Sequence, residues 1–398
     1  MSHPRREVVI VGAGPAGSSL AVLLRQRGLD VLLLDEARFP RDKVCGEGVS
    51  PEAWRMLGNL GVADQVAGLA PWPLRGMLLT SPDGTCFEGR YPGAKRPGFA
   101  ARRQRLDPVL VEAARAAGAE VREGMRVTGL LLEDGRVAGV AAEGPGGAEA
   151  LRGRLVVGAD GRRSVVARHL GLLREHRTLR KFAVRGYWEG VTDLAELGEM
   201  HVGGGGYCGI APLSAHTANV AFVLDQGDLR NAAGDLDGFY RRALRRWPRV
   251  AARLATARLL EPPRAIGPLA LVTRRLFAPG ALLVGDAGGF FDPFTGEGVT
   301  LALRTAEIAA PHAEEYVASG RLASLERYAA DRRAATRDKF QINRLLSEIV
   351  AWPRLADLLA HKLKRRPELA DRLVGIAGDF VPARSAFDAG FLVRLLFA

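Results

Sequence analysis

Glycines and acids recur at the ends of apolar runs in three places along this 398-residue chain. In the first, Val8 to Val11 leads into Gly12, Gly14 and Gly17, with Pro15 and Ala16 inside the glycine pattern, and a helical pattern follows. A second apolar run, Val31 to Leu34, stops at Asp35 and Glu36. Gly12 permits a tight turn, Gly14 lets the backbone approach a pyrophosphate, and Gly17 lets the helix pack closely on the strand. The helix start offers free N–H groups and positive dipole character to phosphate oxygens. Asp35 stands 23 residues after Gly12, a reach that suits hydrogen bonds from an adenosine ribose. Strand, glycines, helix, strand and acid together read as a dinucleotide-binding unit, a far more specific signal than the glycine spacing alone.

The second place is the apolar run Leu155 to Ala159, followed at once by Asp160 and Gly161, with Arg162, Arg163 and Ser164 opening a helix. The third is ALLVGD, ending at Gly285 and Asp286. A loop containing Pro293, Gly296, Gly298 and Val299 follows, and then a helix. A carboxylate at a strand end can accept bonds from a polyhydroxy chain. A glycine-rich helix start can hold negative charge developing on a reduced isoalloxazine ring. Gly296 and Gly298 let a flat ring approach the backbone.

The elements around these motifs predict an α/β fold. It comprises a discontinuous Rossmann-like domain with a mixed or parallel sheet, a second, mainly antiparallel β domain for substrate, and a C-terminal helical tail. The expected division assigns 1–74, 95–171 and 275–339 to the nucleotide domain, 75–94 and 172–274 to the substrate domain, and 340–398 to the tail. Leu106, Leu110, Ala113, Ala114 and Ala117 share one helical face, and AEVREGMRV reads as a strand after it. Asp134–Gly135 predicts a hairpin turn, GPGG (144–147) a loop, and HVGGGGY (201–207) a glycine-rich turn. One helical interval is expected near 236–258, and breaks in the tail at Pro353, Pro367 and Pro382.

At 47% hydrophobic and 25% charged residues the chain is globular, and no apolar run reaches the roughly 18 residues of a spanning helix. The N-terminus enters a strand early, so no signal peptide is expected. Cys45, Cys86 and Cys208 form no disulfide framework, and no His/Cys pair has metal-ligand spacing, which predicts a cytoplasmic protein without metal. The net charge of +12 lies on Arg-rich helix faces such as YRRALRRWPR. No basic stripe is interleaved with aromatics, so nucleic acid is not an expected partner. The terminal FLVRLLFA (391–398) suits either peripheral contact with the inner face of a membrane or packing on the nucleotide domain.

Taken in this order and at these distances, the three motifs resemble the FAD-dependent superfamily that contains para-hydroxybenzoate hydroxylase and the geranylgeranyl reductases. The resemblance covers essentially the whole chain. It implies FAD as cofactor and NADH or NADPH as reductant. Gly12, Gly14, Gly17 and Asp35 would hold the ADP half, and Arg103, in RQRLD, would reach the phosphates or ribityl chain. Asp160 and Gly161 would form the DG motif that serves both FAD and the nicotinamide cofactor. Asp286 would bind the ribityl hydroxyls, and Pro293 to Gly298 would line the flavin ring.

RDKVCGEGVSPEAWRML (41–57) resembles the matching segment of geranylgeranyl and menaquinone reductases, whose cysteine lies near the flavin. Cys45 is then either a proton donor or a packing residue. The Y-x-W-x-F-P signature of the prenyl reductases reads YCGIAP here, so Gly209 and Ala211 replace two large side chains between Tyr207 and Pro212. The wider pocket suits a bulky or ring-bearing substrate, and the segment resembles FAD-dependent hydroxylases of polyketide and phenolic-lipid pathways. The leading expectation is therefore a monooxygenase acting on a small apolar substrate with molecular oxygen, through a flavin hydroperoxide. Saturation of a prenyl or quinone side chain is the alternative. The W-x-W-x-I-P string of the flavin-dependent halogenases is absent, which disfavours halogenation. His169, His201 and His216 are expected to be structural, no catalytic base stands out, and nothing in the pattern fixes an oligomeric state.

Overall fold

The computed structural model describes residues 5–91, 93–176, 180–229, 234–290 and 292–378, together with 381, 382, 385 and 388. The FLVRLLFA segment lies outside the described residues.

Two large sheets carry the architecture. In the first, the order is Phe277–Ala278, Ala281–Leu283, Gly147–Gly158, Arg6–Val11, Val31–Asp35 and Glu120–Glu123. All neighbours pair parallel except the outermost two-residue strand. Strands buried on both faces read as unbroken apolar runs, as Val8 to Val11 and Val31 to Leu34 do. Alternate residues then serve opposite layers. Val8 and Ile10 pack with Leu20, Leu106 and Leu303 from the helices Pro15–Arg25, Arg103–Ala116 and Gly298–Ser319. Val9 and Val11 pack with Val127, Val140 and Val166 on the other side. The hairpin Arg126–Glu133 and Arg136–Gly144 hangs on the outer half of Gly147–Gly158. Its turn has Asp134 at φ +49° and Gly135 at φ +72°, the left-handed pair a two-residue hairpin needs.

The second sheet runs Arg258–Leu259, Lys181–Glu189, Thr217–Asp225, Gly206–Pro212, Gly198–Gly203, Gly76–Thr80 and Cys86–Arg90. Strands from 76–90 thus join strands from beyond 180. Its outer face buries Phe182, Val220 and Phe222 against Tyr240 of the helix Leu236–Leu244, Val250 of the helix Pro248–Arg253 and Trp247 between them. Its inner face presents Ala183, Met200, Tyr207 and Val223 to Phe294 and to Leu346 and Val350 of the long helix Leu322–Ala351.

Two local expectations change and one element was not foreseen. AEVREGMRV is two strands, because Gly124 at φ +71° turns the chain before Met125, whose N–H donates to the Asp35 carbonyl at 2.8 Å. The helical interval near 236–258 is two helices, since Pro248 can only start one. A small sheet of Gly48–Val49, Gly98–Ala100 and Trp72–Leu74 was too short to show alternation in sequence. In the tail, helices end before Pro353 and Pro367, which open the helices Pro353–Arg365 and Pro367–Ala377.

Candidate active site

The glycines of the first strand end divide into two kinds. A Cβ at Gly12, itself at φ +100°, would lie 2.6 Å from the Ala159 carbonyl oxygen, and one at Gly17 would lie 1.8 Å from that of Gly12. Protein packing demands glycine at both. A Cβ at Gly14 would meet nothing nearer than an Arg41 nitrogen at 3.6 Å, and those at Gly296 and Gly298 nothing within 4 Å. There the space in front of the backbone is open, which is what a pyrophosphate and a flat ring require. Pro15 occupies the first helical position, its missing N–H no loss there. Pro15 and Ala16 line the same space as Gly14.

Asp35 is turned inward. Its carboxylate accepts from the Ala13 N–H at 2.7 Å and the Ala37 N–H at 2.9 Å, bracing the glycine loop. Glu36 beside it is exposed and is the freer carboxylate at that strand end.

A cationic cluster faces Gly14. Arg103, buried at the start of its helix, grips Asp107 one turn on with two nitrogens at 2.6 and 2.8 Å. Arg41 reaches the same carboxylate at 3.5 Å. Lys43 has its pKa pushed down by burial and then by Arg103 and Arg41, with Asp286 only partly offsetting them. An ammonium crowded in this way is relieved by an anion, so the cluster fits a bound diphosphate.

At the second strand end, one Asp160 oxygen accepts the Val165 N–H at 2.6 Å while the other is buried with no partner among the described residues. Burial pushes the Asp160 pKa up. Gly161, at φ +76°, lets Lys43 approach. At the third, Asp286 lines the cavity and Gly285, at φ +56°, donates to the Thr305 hydroxyl at 2.9 Å. Arg332, buried on the long helix, donates to the Gly285 and Gly288 carbonyls at 3.0 and 2.9 Å and so fixes this turn. Asp292 accepts from Lys181 at 2.8 Å, from the Tyr207 hydroxyl and from the Phe294 N–H at 3.0 Å. Pro293 then opens a short turn that carries the chain through Gly296, at φ +69°, to Gly298 and Val299 at the next helix start.

Cys45 lines the same cavity. Its loop is held by residues the sequence reading did not single out. Glu47 is buried at φ +62° and accepts from the Tyr187 hydroxyl, the Arg103 N–H at 3.2 Å and the Asn219 amide at 3.2 Å. Asn219 also donates to the Cys45 carbonyl at 2.8 Å, and the Glu47 N–H donates to Sγ of Cys45 at 3.3 Å. Burial raises the Glu47 pKa against the pull of these donors. The Tyr187 ring lies between the Arg102 and Arg185 guanidinium groups, at 3.8 and 4.0 Å. Arg185 is fully buried on Asp42 at 2.5 and 2.6 Å. The available signal was position: Asp42, Lys43 and Glu47 flank Cys45 in RDKVCGEG.

One cavity of about 280 Å³ joins these parts. Gly14, Cys45, Asp286 and Gly298 line one wall, and Tyr207, Gly209 and Ala211 line the other. A Cβ at Gly209 would make ordinary contacts at 3.7 Å with the Glu199 carbonyl oxygen and the Met200 methyl, so a methyl fits there without strain. Phe340 and Asn343 of the long helix line the cavity as well. His201 is buried on Glu199 and Thr80 at 3.0 and 3.1 Å, while His169 and His216 are exposed. None of the three lines the cavity. Among the described residues no His, Cys, Asp and Glu cluster could hold a metal ion.

The sequence profile of the FAD binding domain family matches residues 5–341. A digeranylgeranylglycerophospholipid reductase of Methanosarcina acetivorans is 32% identical over 321 residues, 79% of this chain and 76% of that protein. A menaquinone reductase of Mycolicibacterium smegmatis is 28% identical over 432 residues, 99% of this chain and 95% of that one. The solved structure of the flavin-dependent brominase Bmp2 shares the fold, with a TM-score of 0.83 at 21% identity over 98% of each chain. Glycines left open at strand ends, a cation cluster suited to a diphosphate and this family match agree: the chain belongs to the FAD-dependent oxidoreductase superfamily of para-hydroxybenzoate hydroxylase and the geranylgeranyl reductases.

Proposed function

We propose that this protein saturates carbon–carbon double bonds in the isoprenoid chain of a lipid or quinone, with NADH or NADPH as the source of electrons. The observation that carries the reading is that Cys45 and the Gly296–Gly298 loop line one largely apolar cavity. The names of the two relatives described above support it. When bound, FAD relays two electrons from the nicotinamide to the substrate. Gly14 and the Arg41, Lys43 and Arg103 cluster would hold its diphosphate, with Gly12 and Gly17 shaping the turn that presents it and Glu36 for the ribose. Asp286 would take the ribityl hydroxyls, and Asp160 with Gly161 would serve FAD and the nicotinamide cofactor. The helix start at Gly298 offers its dipole to negative charge on the ring. The Sγ of Cys45 holds a proton that it can give to the second carbon of the double bond, while Glu47 and Asn219 keep its loop in place. The apolar strands beside Tyr207 exclude water.

The sequence expectation of hydroxylation rests on Gly209 and Ala211. A wide wall also admits the ring of a quinone, so the same two residues suit a reductase for a ring-bearing chain. Hydroxylation of an apolar phenol with molecular oxygen remains the second reading, favoured by that width alone.

The test is anaerobic reduction of the yellow protein with NADH or NADPH, followed by a polyprenyl quinone and mass spectrometry of the product. Gain of two hydrogens located in the prenyl chain, after reoxidation of any quinol, supports the reductase. No saturation, with insertion of one oxygen atom into an added phenol once oxygen is admitted, overturns it. Loss of turnover with FAD retained in Cys45→Ala assigns proton donation to Cys45; unchanged turnover assigns packing.

A further inference from the structure

We propose that the elbow between the helices Leu322–Ala351 and Pro353–Arg365 docks on the surface of a membrane containing anionic lipid, with Trp352 at its centre. Trp352 ends one helix, caps the next, and is 70% exposed. Leu345 lies two helical turns before it, and Leu355 and Leu358 follow at three-residue steps. These leucines are 46%, 40% and 54% exposed. The opposite faces of both helices are already committed. Leu346 and Val350 pack with Met200 and Tyr207, and Ala360 and Leu363 pack with Phe87. The elbow is therefore apolar inside and outside, whereas the water side of a surface helix is ordinarily polar.

Charge selects the occupant. Residues 344–366 hold six basic and two acidic side chains, within a chain of net charge +12. Arg354, Lys364 and Arg365 are exposed along the second helix, while Arg344 pairs with Glu348 at 3.1 Å and Arg366 with Glu368 at 3.8 Å. Asp357, one of the two acids, is engaged with the Asp83 N–H at 2.9 Å. An apolar strip with a tryptophan, rimmed by cations, is the pattern of an interfacial helix on an anionic bilayer. A second copy meeting this face through a twofold axis would set like charge against like. Among the described residues no helix is long and apolar enough to cross a membrane, so the contact is with the surface.

Position gives the contact a use. The long helix lines the cavity with Phe340 and Asn343. Asn343 and Trp352 are nine residues apart, about 14 Å along the helix axis. A docked elbow holds the part of the cavity lined by Phe340 and Asn343 close to the bilayer, where long-chain lipids reside. The proposal goes beyond the reductase reading, and its test needs no turnover.

The experiment is flotation of the FAD-loaded full chain with vesicles of phosphatidylcholine alone or mixed with phosphatidylglycerol. The protein is expected to float with the mixed vesicles and to be released by high salt. Trp352→Ser with Leu358→Ser is expected to lower partitioning about tenfold or more, with FAD content and melting temperature unchanged. Arg354→Glu with Arg365→Glu is expected to do the same through charge. Equal partitioning of parent and variants, or no flotation of the parent, overturns the proposal. So does a parent dimer that the Trp352 and Leu358 double variant converts to monomer without change in flotation, since the face then belongs to a second copy.

Discussion

The two walls of the cavity differ in what shapes them. On the parallel-sheet side the wall is backbone: strand ends, glycines and helix starts, with cations gathered in front. On the antiparallel side it is set by side-chain size, and Gly209 and Ala211 leave it wide. The first wall suits a constant cofactor, the second a substrate that differs between relatives. A cofactor's phosphates are met by N–H groups that no side-chain substitution removes, whereas a substrate wall can be reshaped one residue at a time.

The largest contrast lies within the first wall itself. Gly17→Ala puts a Cβ 1.8 Å from a backbone oxygen and is expected to cost about 3 kcal/mol or more, seen as a sharp fall in melting temperature or insolubility. Gly14→Ala has room, so the apoprotein should melt as the parent does while FAD affinity falls at least about tenfold. The reverse pattern in thermal melts and FAD titrations would break the distinction between packing glycines and ligand glycines.

Next comes the clamp below Cys45. Tyr187→Phe leaves Glu47 without its hydroxyl donor and is expected to cost about 1–3 kcal/mol in denaturant unfolding. It should also speed alkylation mapped to Cys45 by several-fold, which a purely distant structural residue would not do. Stability loss with unchanged Cys45 reactivity contradicts the positioning role.

Lys43 should show a smaller effect that depends on pH. Its folded pKa lies below its unfolded value, so between the two the unfolded chain binds more protons and apoprotein stability rises with pH. Lys43→Met removes that slope and stabilises the apoprotein at neutral pH. In the parent, FAD affinity should fall as pH rises through the depressed Lys43 pKa, a dependence the variant loses. An identical pH profile in both proteins, by calorimetry and FAD titration, removes Lys43 from the diphosphate site.

The smallest expected change is in the second wall. Gly209→Trp puts an indole into the cavity that Gly209 lines and should raise KM for ring-bearing substrates more than for slim chains. Equal effects on both substrate classes would mean that this wall does not select.

This contrast also explains what was legible in the chain. The buried parallel strands, the three strand ends and the Asp134–Gly135 turn could be read because each is a local consequence of backbone geometry. Asp35 was read correctly as the acid ending a strand, yet its carboxylate braces Ala13 and Ala37, a detail spacing does not carry. Glu47, Tyr187 and Asn219 escaped notice because they meet across 172 residues of sequence, on a loop and two strands whose adjacency only the sheet order supplies. Arg332 was hidden by its neighbourhood: in an Arg-rich helix nothing distinguishes the one arginine that turns inward.

The most direct measurement is titration of the apoprotein with FAD while alkylation of Cys45 is followed by peptide mapping. The account predicts one FAD per chain, a lasting yellow colour and protection of Cys45 as the cofactor fills the cavity. A protein that stays colourless with excess FAD, or binds it while Cys45 reacts as fast as before, contradicts the convergence of the strand ends and the Cys45 loop on one flavin.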